Sequence, residues 1–444
     1  MERTAGTLIL PGWLITSADT TPRQQWGVRV VGAHIDAVDS AAALKATYPD
    51  DELLQMPDSI ALPGFVNAHT HLYGTLAHGI PVDPVDSFWS FLADYWWPKV
   101  EDRLDHRMIA ASTDWVCAEM LRTGTTTFYD ILEAPNSVPE ALFVERDIVR
   151  KWGLRGILSF EATERVSGAN GQHGLEENRF FIEACRNDGP ESLVSGAMCF
   201  HTVFTCSDAF IKQTFELGDA LEVLVHAHCN EGVHEGLWCA EHKGMRTLEF
   251  YESLGVLSPR FLASQCVQLS FKERQLLAER SVRVSHMPMA NCEVGGGIAP
   301  VPEYLADGVT VGLGSDGYVN DFYEVMRSAA LIHKARLLDP ATMPAAVVLG
   351  LATEGGARAL GLERVGRLDA GWSADMQLVS AEVATPITAH NIFDQLVLWR
   401  SGHHVTDVMV AGDWRMRNSN VIGADFAKLR HTLHEQSDRL WGRT

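Results

Sequence analysis

Histidine recurs in this chain at the spacing that lets two imidazoles share one side of a strand. The stretch "HTH" carries His69 and His71, and "HAHCNE" carries His226 and His228 with Glu231 just beyond. Alternate residues of a β-strand face the same side, so each pair can aim both rings at one point. Neutral imidazoles that converge can bind a metal ion. An acid just past the strand end, such as Glu231, can lean over whatever His228 binds and move protons there. A third stretch, "GLGSDG", places Asp316 after an apolar run, where a buried carboxylate needs a partner. Each signal has a plainer reading. The histidines could be hydrogen-bonded in turns, Glu231 could be solvated, and Asp316 could cap the next helix. Taken together, three strand ends supply a His₃Asp donor set around one divalent ion, zinc or ferrous iron. In "SHMPMAN", His286 and Asn291 could orient neighbours, contact a substrate or brace a loop. In "FLASQCVQLS", Gln265 and Gln268 interrupt an otherwise apolar strand.

The elements around these residues alternate. Apolar strands end at "NAHTH", "GTTTFYDIL", "GLRGILSFEA", "SLVSGAMCFHTVF", "LEVLVHAHCNE", "FLASQCVQLS", "SVRVSHMPM" and "VTVGLGSD". Helix-like runs separate them, among them "RMIAASTDWVCAEMLRTG", "NRFFIEACRND", "CSDAFIKQTFELGDAL" and "MRTLEFYESLGV". Such alternation predicts an α/β fold, a (β/α)₈ TIM-like barrel with its active residues at the C-terminal strand ends. An open doubly wound sheet is the alternative, but no GxGxxG follows an early strand. The first sixty residues, and "GRLDAGWSADMQLVS" with "HHVTDVMVAGDWRMRNSN" near the end, read as β-rich segments. The expected organisation is a small β-sandwich formed by both chain ends (residues 1–61 and 366–444, the latter with a terminal helix) around a barrel of residues 62–365.

A net charge of −21 repels nucleic acid and anionic membrane, so neither is an expected partner. No apolar run is long enough to span a bilayer, and the N-terminus does not read as a signal peptide. The eight cysteines are scattered without a CxxC pair and read as reduced thiols of a cytoplasmic protein. The expected partners are a small-molecule substrate and further copies of the chain, as a dimer or larger homo-oligomer. After "HTH", the stretch "YGTLAHGIPVDPVDSFWSFLADYWWPKV" is rich in aromatics, from Tyr73 through Trp89 to Trp97. Flat apolar walls suit a ring substrate. Most of these rings are expected to pack a helix, with one or two, Trp89 among them, reaching the pocket beside His78.

The ordered set "PGFVNAHTHLYGTLAHG", "GTTTFYD", "FHTVFTCSD", "HAHCNE", "SHMPMANCEVGGG" and "GLGSDGYVND" resembles the amidohydrolase superfamily. Its nearest branch in pattern is the mononuclear one of cytosine, guanine and adenosine-type deaminases and triazine chlorohydrolases. The likeness covers essentially the whole chain. It implies that His69, His71, His228 and Asp316 bind the metal, that Glu231 shuttles protons, and that His201 lines the substrate pocket. "SLVSGAMCFHTVF" has no lysine to bridge a second ion. The sequence departs at strand six, where such deaminases carry a histidine in a pattern like "AHCV" and this chain has "SQCV". Gln265 can donate and accept hydrogen bonds but cannot ionise. Three readings follow: a metal-dependent aminohydrolase releasing ammonia from an N-heterocycle, a hydrolase of an amide, urea, carbamate or chloro-substituted substrate, and a silent metal-binding protein.

Overall fold

A computed structural model describes residues 5–82, 85, 87–189 and 191–443. The first four residues of the N-terminal β segment, and Thr444, lie outside the described residues. The chain divides into two compact units, one of Met1–Asn67, Ala118–Thr127 and Asn320–Ala424, the other of Ala68–Cys117, Phe128–Val319 and Asp425–Thr444.

The first unit is organised by a nine-stranded sheet drawn from both chain ends. They meet where Glu52–Pro63 runs parallel to Thr7–Leu14 and antiparallel to Met376–Ser380. Ile9, Val28, Ile35, Ala61, Met376 and Met409 fill its core. The N-terminal segment, expected as strands alone, also contains a helix, Ala41–Thr47. Its alanines favour helix, and the Ser40 hydroxyl accepts from Ala43 N to cap it.

Eight strands then alternate with helices: β1 (Phe65–Thr70), β2 (Thr125–Leu132), β3 (Arg155–Phe160), β4 (Val194–Gly196, continued by Met198–Cys199), β5 (Val225–Cys229), β6 (Phe261–Gln265), β7 (Arg283–His286) and β8 (Val311–Leu313). β1 to β4 form one sheet in chain order, and the end of β4 continues with β5 to β8 in a second. From β3 through β8 each strand pairs in parallel with the next, as at His228↔Ser264 and Ser264↔Ser285. All eight residues of β2 are buried, as expected of a strand covered on both faces. Beyond the named strands, parallel bridges join Ala162 to Phe200 and Thr70 to Asp316. The helix Phe426–Leu440 belongs to the second unit, where Trp441 Nε1 donates to Leu76 O at 2.9 Å.

One helix is longer than its apolar pattern suggests. The run "NRFFIEACRND" is only the second half of a helix over Gly168–Asn187, which Ser167 caps. Glycines hide its first half from a propensity reading, but packing needs them. A Cβ at Gly174 would lie 2.9 Å from Ala162 Cβ and 3.0 Å from Ala162 Cα. Gly174→Val is therefore expected to destabilise the fold by about 1–3 kcal/mol. Chemical denaturation checks this, and an unchanged midpoint would refute the close-approach role.

Candidate active site

The ends of β1, β5 and β8 bring three imidazoles and a carboxylate together. His69 and His71 are both buried, and His71 Nε2 lies 3.3 Å from His228 Nε2. Asp316 Oδ1 lies 3.3 Å from His71 Nε2 and 3.7 Å from His69 Nε2. The backbone permits this approach at one glycine: a Cβ on Gly314 would sit 2.9 Å from His69 Cβ. Just beyond it, Ser315 N and Asp316 N both donate to His69 O. Asp316 takes a left-handed conformation (φ 58°) and does not cap the next helix; Asp321 does.

The other ring nitrogens determine which lone pairs face the centre. His71 Nδ1 lies 2.7 Å from Ile131 O, which can only accept, so Nδ1 carries the proton and Nε2 is bare. His228 Nδ1 lies 2.6 Å from Glu161 Oε1, and donation there bares its Nε2 as well. Burial pushes His69 down to about 3 and lowers His71 and His228, so all three rings are neutral. Burial would raise the Asp316 carboxyl, but the imidazoles of His69, His71 and His228 beside it hold it below the usual range. Bare nitrogens and a carboxylate crowded together repel one another unless a cation sits among them. The nitrogens of His69, His71 and His228 all fall within 4.8 Å of one another, so the donor set fits a divalent ion. His226, which shares the alternation of His228, stands behind His69 instead, with Nε2 3.1 Å from His69 Nδ1.

His71, His228 and Asp316 line the floor of a cavity of about 590 Å³, with His69 buried behind them. Glu231 lines it. Burial, with the charges of Asp316, Glu235 and Glu161, raises its carboxyl well above the ordinary value. His201 lines it too, neutral through burial and held by Thr205 Oγ1 at 2.9 Å. His78 lies on the wall with Nε2 2.9 Å from Gly317 O, and Trp89 stacks on His234 with ring centres 4.0 Å apart. The aromatic stretch contributes more than one or two rings: Tyr73, Phe88, Trp89, Phe91, Tyr95 and Trp96 all face the cavity.

Gln265 and His286 are not among the described residues that line it. Gln265 is fully buried, and its Nε2 donates to Asp316 Oδ2 at 2.7 Å. Its Oε1 accepts from Asn291 Nδ2, so the amide cannot turn over without losing both bonds. His286 is buried at the end of β7, where its carbonyl accepts from Gly314 N. Gln268 lies in the loop after β6, where it donates to Gly296 O at 2.6 Å.

Residues that the sequence reading passed over complete the surroundings. Arg165 binds Glu133 Oε1 at 2.7 Å, Asp102 Oδ1 at 2.8 Å and Glu101 Oε2 at 3.1 Å, and Tyr73 donates to Glu101 Oε1 at 2.9 Å. Glu133 and Glu161 directly follow β2 and β3, so their position at the ends of apolar parallel strands was an available signal.

Residues 60–415, most of the chain, match the Amidohydrolase family. The chain belongs to the amidohydrolase family. Among its relatives, a 5-methylthioadenosine/S-adenosylhomocysteine deaminase of Nitratidesulfovibrio vulgaris is 31% identical over 414 residues, 92% of this chain and 91% of the relative. A 5'-deoxyadenosine deaminase of Methanothermobacter thermautotrophicus is 33% identical over 376 residues, 84% and 85% of the two chains. The crystal structure of an adenosine deaminase from Xanthomonas campestris with bound zinc superposes with a TM-score of 0.88 at 27% identity, covering 98% of each chain. This amidohydrolase accordingly has a TIM-barrel-like α/β fold with parallel sheets.

The Arg165 network yields a stability test. Burial raises the Glu101 carboxyl, Glu133 adds to that, and Arg165 opposes it. Arg165→Met leaves the acids unpaired and is expected to cost about 3–5 kcal/mol. A carboxyl whose folded-state value is raised loses stability as pH rises through that value. The loss should therefore be larger at pH 8 than at pH 5, and equal losses in denaturation at both would refute the pairing.

Proposed function

We propose that this amidohydrolase is a divalent-metal-dependent aminohydrolase that releases ammonia from an N-heterocycle, with a 6-aminopurine as the ring. The observation that carries the reading is the crowding of bare imidazole nitrogens and the Asp316 carboxylate on the floor of an aromatic cavity. His69, His71, His228 and Asp316 would hold the ion, zinc in the first instance and ferrous iron as the alternative. When bound there, a divalent ion lowers the pKa of water and supplies hydroxide at neutral pH. The relatives' deamination of adenosine derivatives supports the choice of ring.

The chain's own residues then divide the work. Asp316 takes a proton from the attacking water. Glu231, kept protonated by burial and neighbouring acids, gives a proton to the leaving nitrogen. Gln265 holds Asp316 Oδ2, leaving Oδ1 toward the histidines. His201, His78 and Trp89 would contact the substrate. His286 would act through the backbone at β8. Since Gln265 serves Asp316 and does not line the cavity, it gives no ground for preferring amide, urea or chloride hydrolysis.

We further infer that the two parallel sheets close into one eight-stranded barrel, supported by the bridges Thr70↔Asp316 and Ala162↔Phe200. The nine-stranded sheet would fold over as a sandwich contributed by residues 1–61 and the strands of segment 366–444, whose terminal helix belongs instead to the second unit, with residues 62–365 as the barrel; apolar clusters around Ile9 and around Leu8 support the sandwich. Exposed Val233 and Leu237, one helical turn apart, support a homo-oligomer. Free cysteines, seven of the eight buried, support a cytoplasmic setting. The charge of −21 argues against nucleic acid or anionic membrane as a partner, and no helix among the described residues is long and apolar enough to cross a membrane.

The decisive assay follows ammonia released from 6-aminopurines by metal-replete enzyme; no release from any of them would refute the reading. Glu231→Gln should lower kcat by about 10²–10⁴-fold with metal content retained by elemental analysis. Near-normal turnover would remove its role. Gln265→Leu should weaken metal affinity by about 10–100-fold in chelator competition. Unchanged affinity would mean that Asp316 needs no such support.

A further inference from the structure

We propose that the cavity selects 6-aminopurines whose substituent is uncharged and apolar, and rejects those whose substituent carries a carboxylate or phosphate. The proposal rests on the aminohydrolase reading and adds the chemistry of the part of the substrate that does not react.

Pockets of about 300–1,000 Å³ hold drug-sized ligands, so a cavity of 590 Å³ has room beyond a bicyclic ring. The reacting groups occupy its floor, so a substituent must extend along the aromatic wall. That wall is continuous. His201 and Phe204 are 6.0 Å apart, Phe204 meets the edge of His234 at 5.3 Å, and His234 stacks on the partly exposed Trp89. Across the cavity, Phe91 lies 5.7 Å from Trp96 and 5.9 Å from Tyr95.

Histidine apart, the titratable side chains of Asp, Glu, Lys or Arg type on this surface are all acids. Glu101, Glu161, Glu231, Glu235, Glu293 and Asp316 line the cavity, and no lysine or arginine does among the described residues. Arg165 stands nearby, but three carboxylates engage its guanidinium, which lies over Trp97 at 4.9 Å. His201 is engaged by Thr205 Oγ1, His234 stacks on Trp89, and His78 is turned to Gly317 O. An anionic group along this wall would lose hydration against buried acids and the negative faces of aromatic rings, with no lysine or arginine among the described lining residues to pair it. An uncharged thioether, alkyl or aryl group would gain from the same burial.

The contrast is sharp for the kind of compounds the Nitratidesulfovibrio relative is named for. A methylthio substituent is uncharged, whereas a homocysteine substituent carries a carboxylate together with an ammonium. To isolate charge from shape, the test uses 9-benzyladenine, its para-carboxylate and the methyl ester of that carboxylate, alongside 5'-methylthioadenosine and adenosine 5'-monophosphate. Ammonia release gives kcat/KM on the metal-replete enzyme as purified, and quenching of tryptophan fluorescence gives binding.

The carboxylate and the phosphate are expected to fall about 100-fold or more below their uncharged counterparts, with the ester close to 9-benzyladenine. Glu293→Arg should narrow the carboxylate-to-ester ratio at least about tenfold. Equal use of carboxylate and ester would overturn the proposal and leave the aminohydrolase reading intact. Preferential binding of the ester without ammonia from any compound would support the proposal while refuting that reading. Neither turnover nor binding of any compound would overturn both.

Discussion

Three imidazole nitrogens and a carboxylate oxygen are aimed at one small volume, and this mutual repulsion is the constraint on which the site depends. The buried rings are neutral, and among the described residues no lysine or arginine lines the cavity there. Each donor must therefore be held from behind. Ile131 O holds His71, Glu161 holds His228, His226 backs His69, and Gln265 holds Asp316. Such outer partners fix ring orientation and proton position, which a bare donor list does not. The strand ends serve the same requirement. Gly314 allows β8 to come against His69, and the left-handed backbone of Asp316 turns its side chain toward the rings.

A second consequence is electrostatic. The cavity is rich in acids within a chain already at −21, so burial and mutual repulsion both push carboxyls toward the protonated form. Asp316 escapes this through its imidazole neighbours, whereas Glu231 does not. Two acids at the same floor thus hold different protonation states, which suits one to accept a proton and the other to give one. Arg165 keeps the acids Glu101 and Glu133 from adding their full charge.

The substitution at strand six shows how the parts combine. A glutamine cannot carry charge, but the bond it makes to Asp316 Oδ2 needs only a donor. Asn291 fixes which end of the amide points to Asp316, so two neutral side chains form a clamp that does not titrate. That clamp lies behind the carboxylate, out of reach of the cavity, and leaves the aromatic wall to meet the substrate.

Much of this was legible in the sequence, and for a local reason. Residues two apart on a strand share a side, so the pairing of His69 with His71, and the strand ends that carry His228, Glu231 and Asp316, follow from spacing alone. The alternation of strands and helices likewise determined the class of fold. Periodicity is blind to what lies across the structure. His71 and His228 are 157 residues apart, and only the neighbouring strands decide that one turns to its partner while His226 turns behind His69. The same blindness left the partner of Gln265 open, and it hid the Arg165 cluster and most of the aromatic wall. Those assignments depend on which side chains meet at strand ends far apart in sequence. Spacing along one strand determines direction; only packing between strands determines the partner.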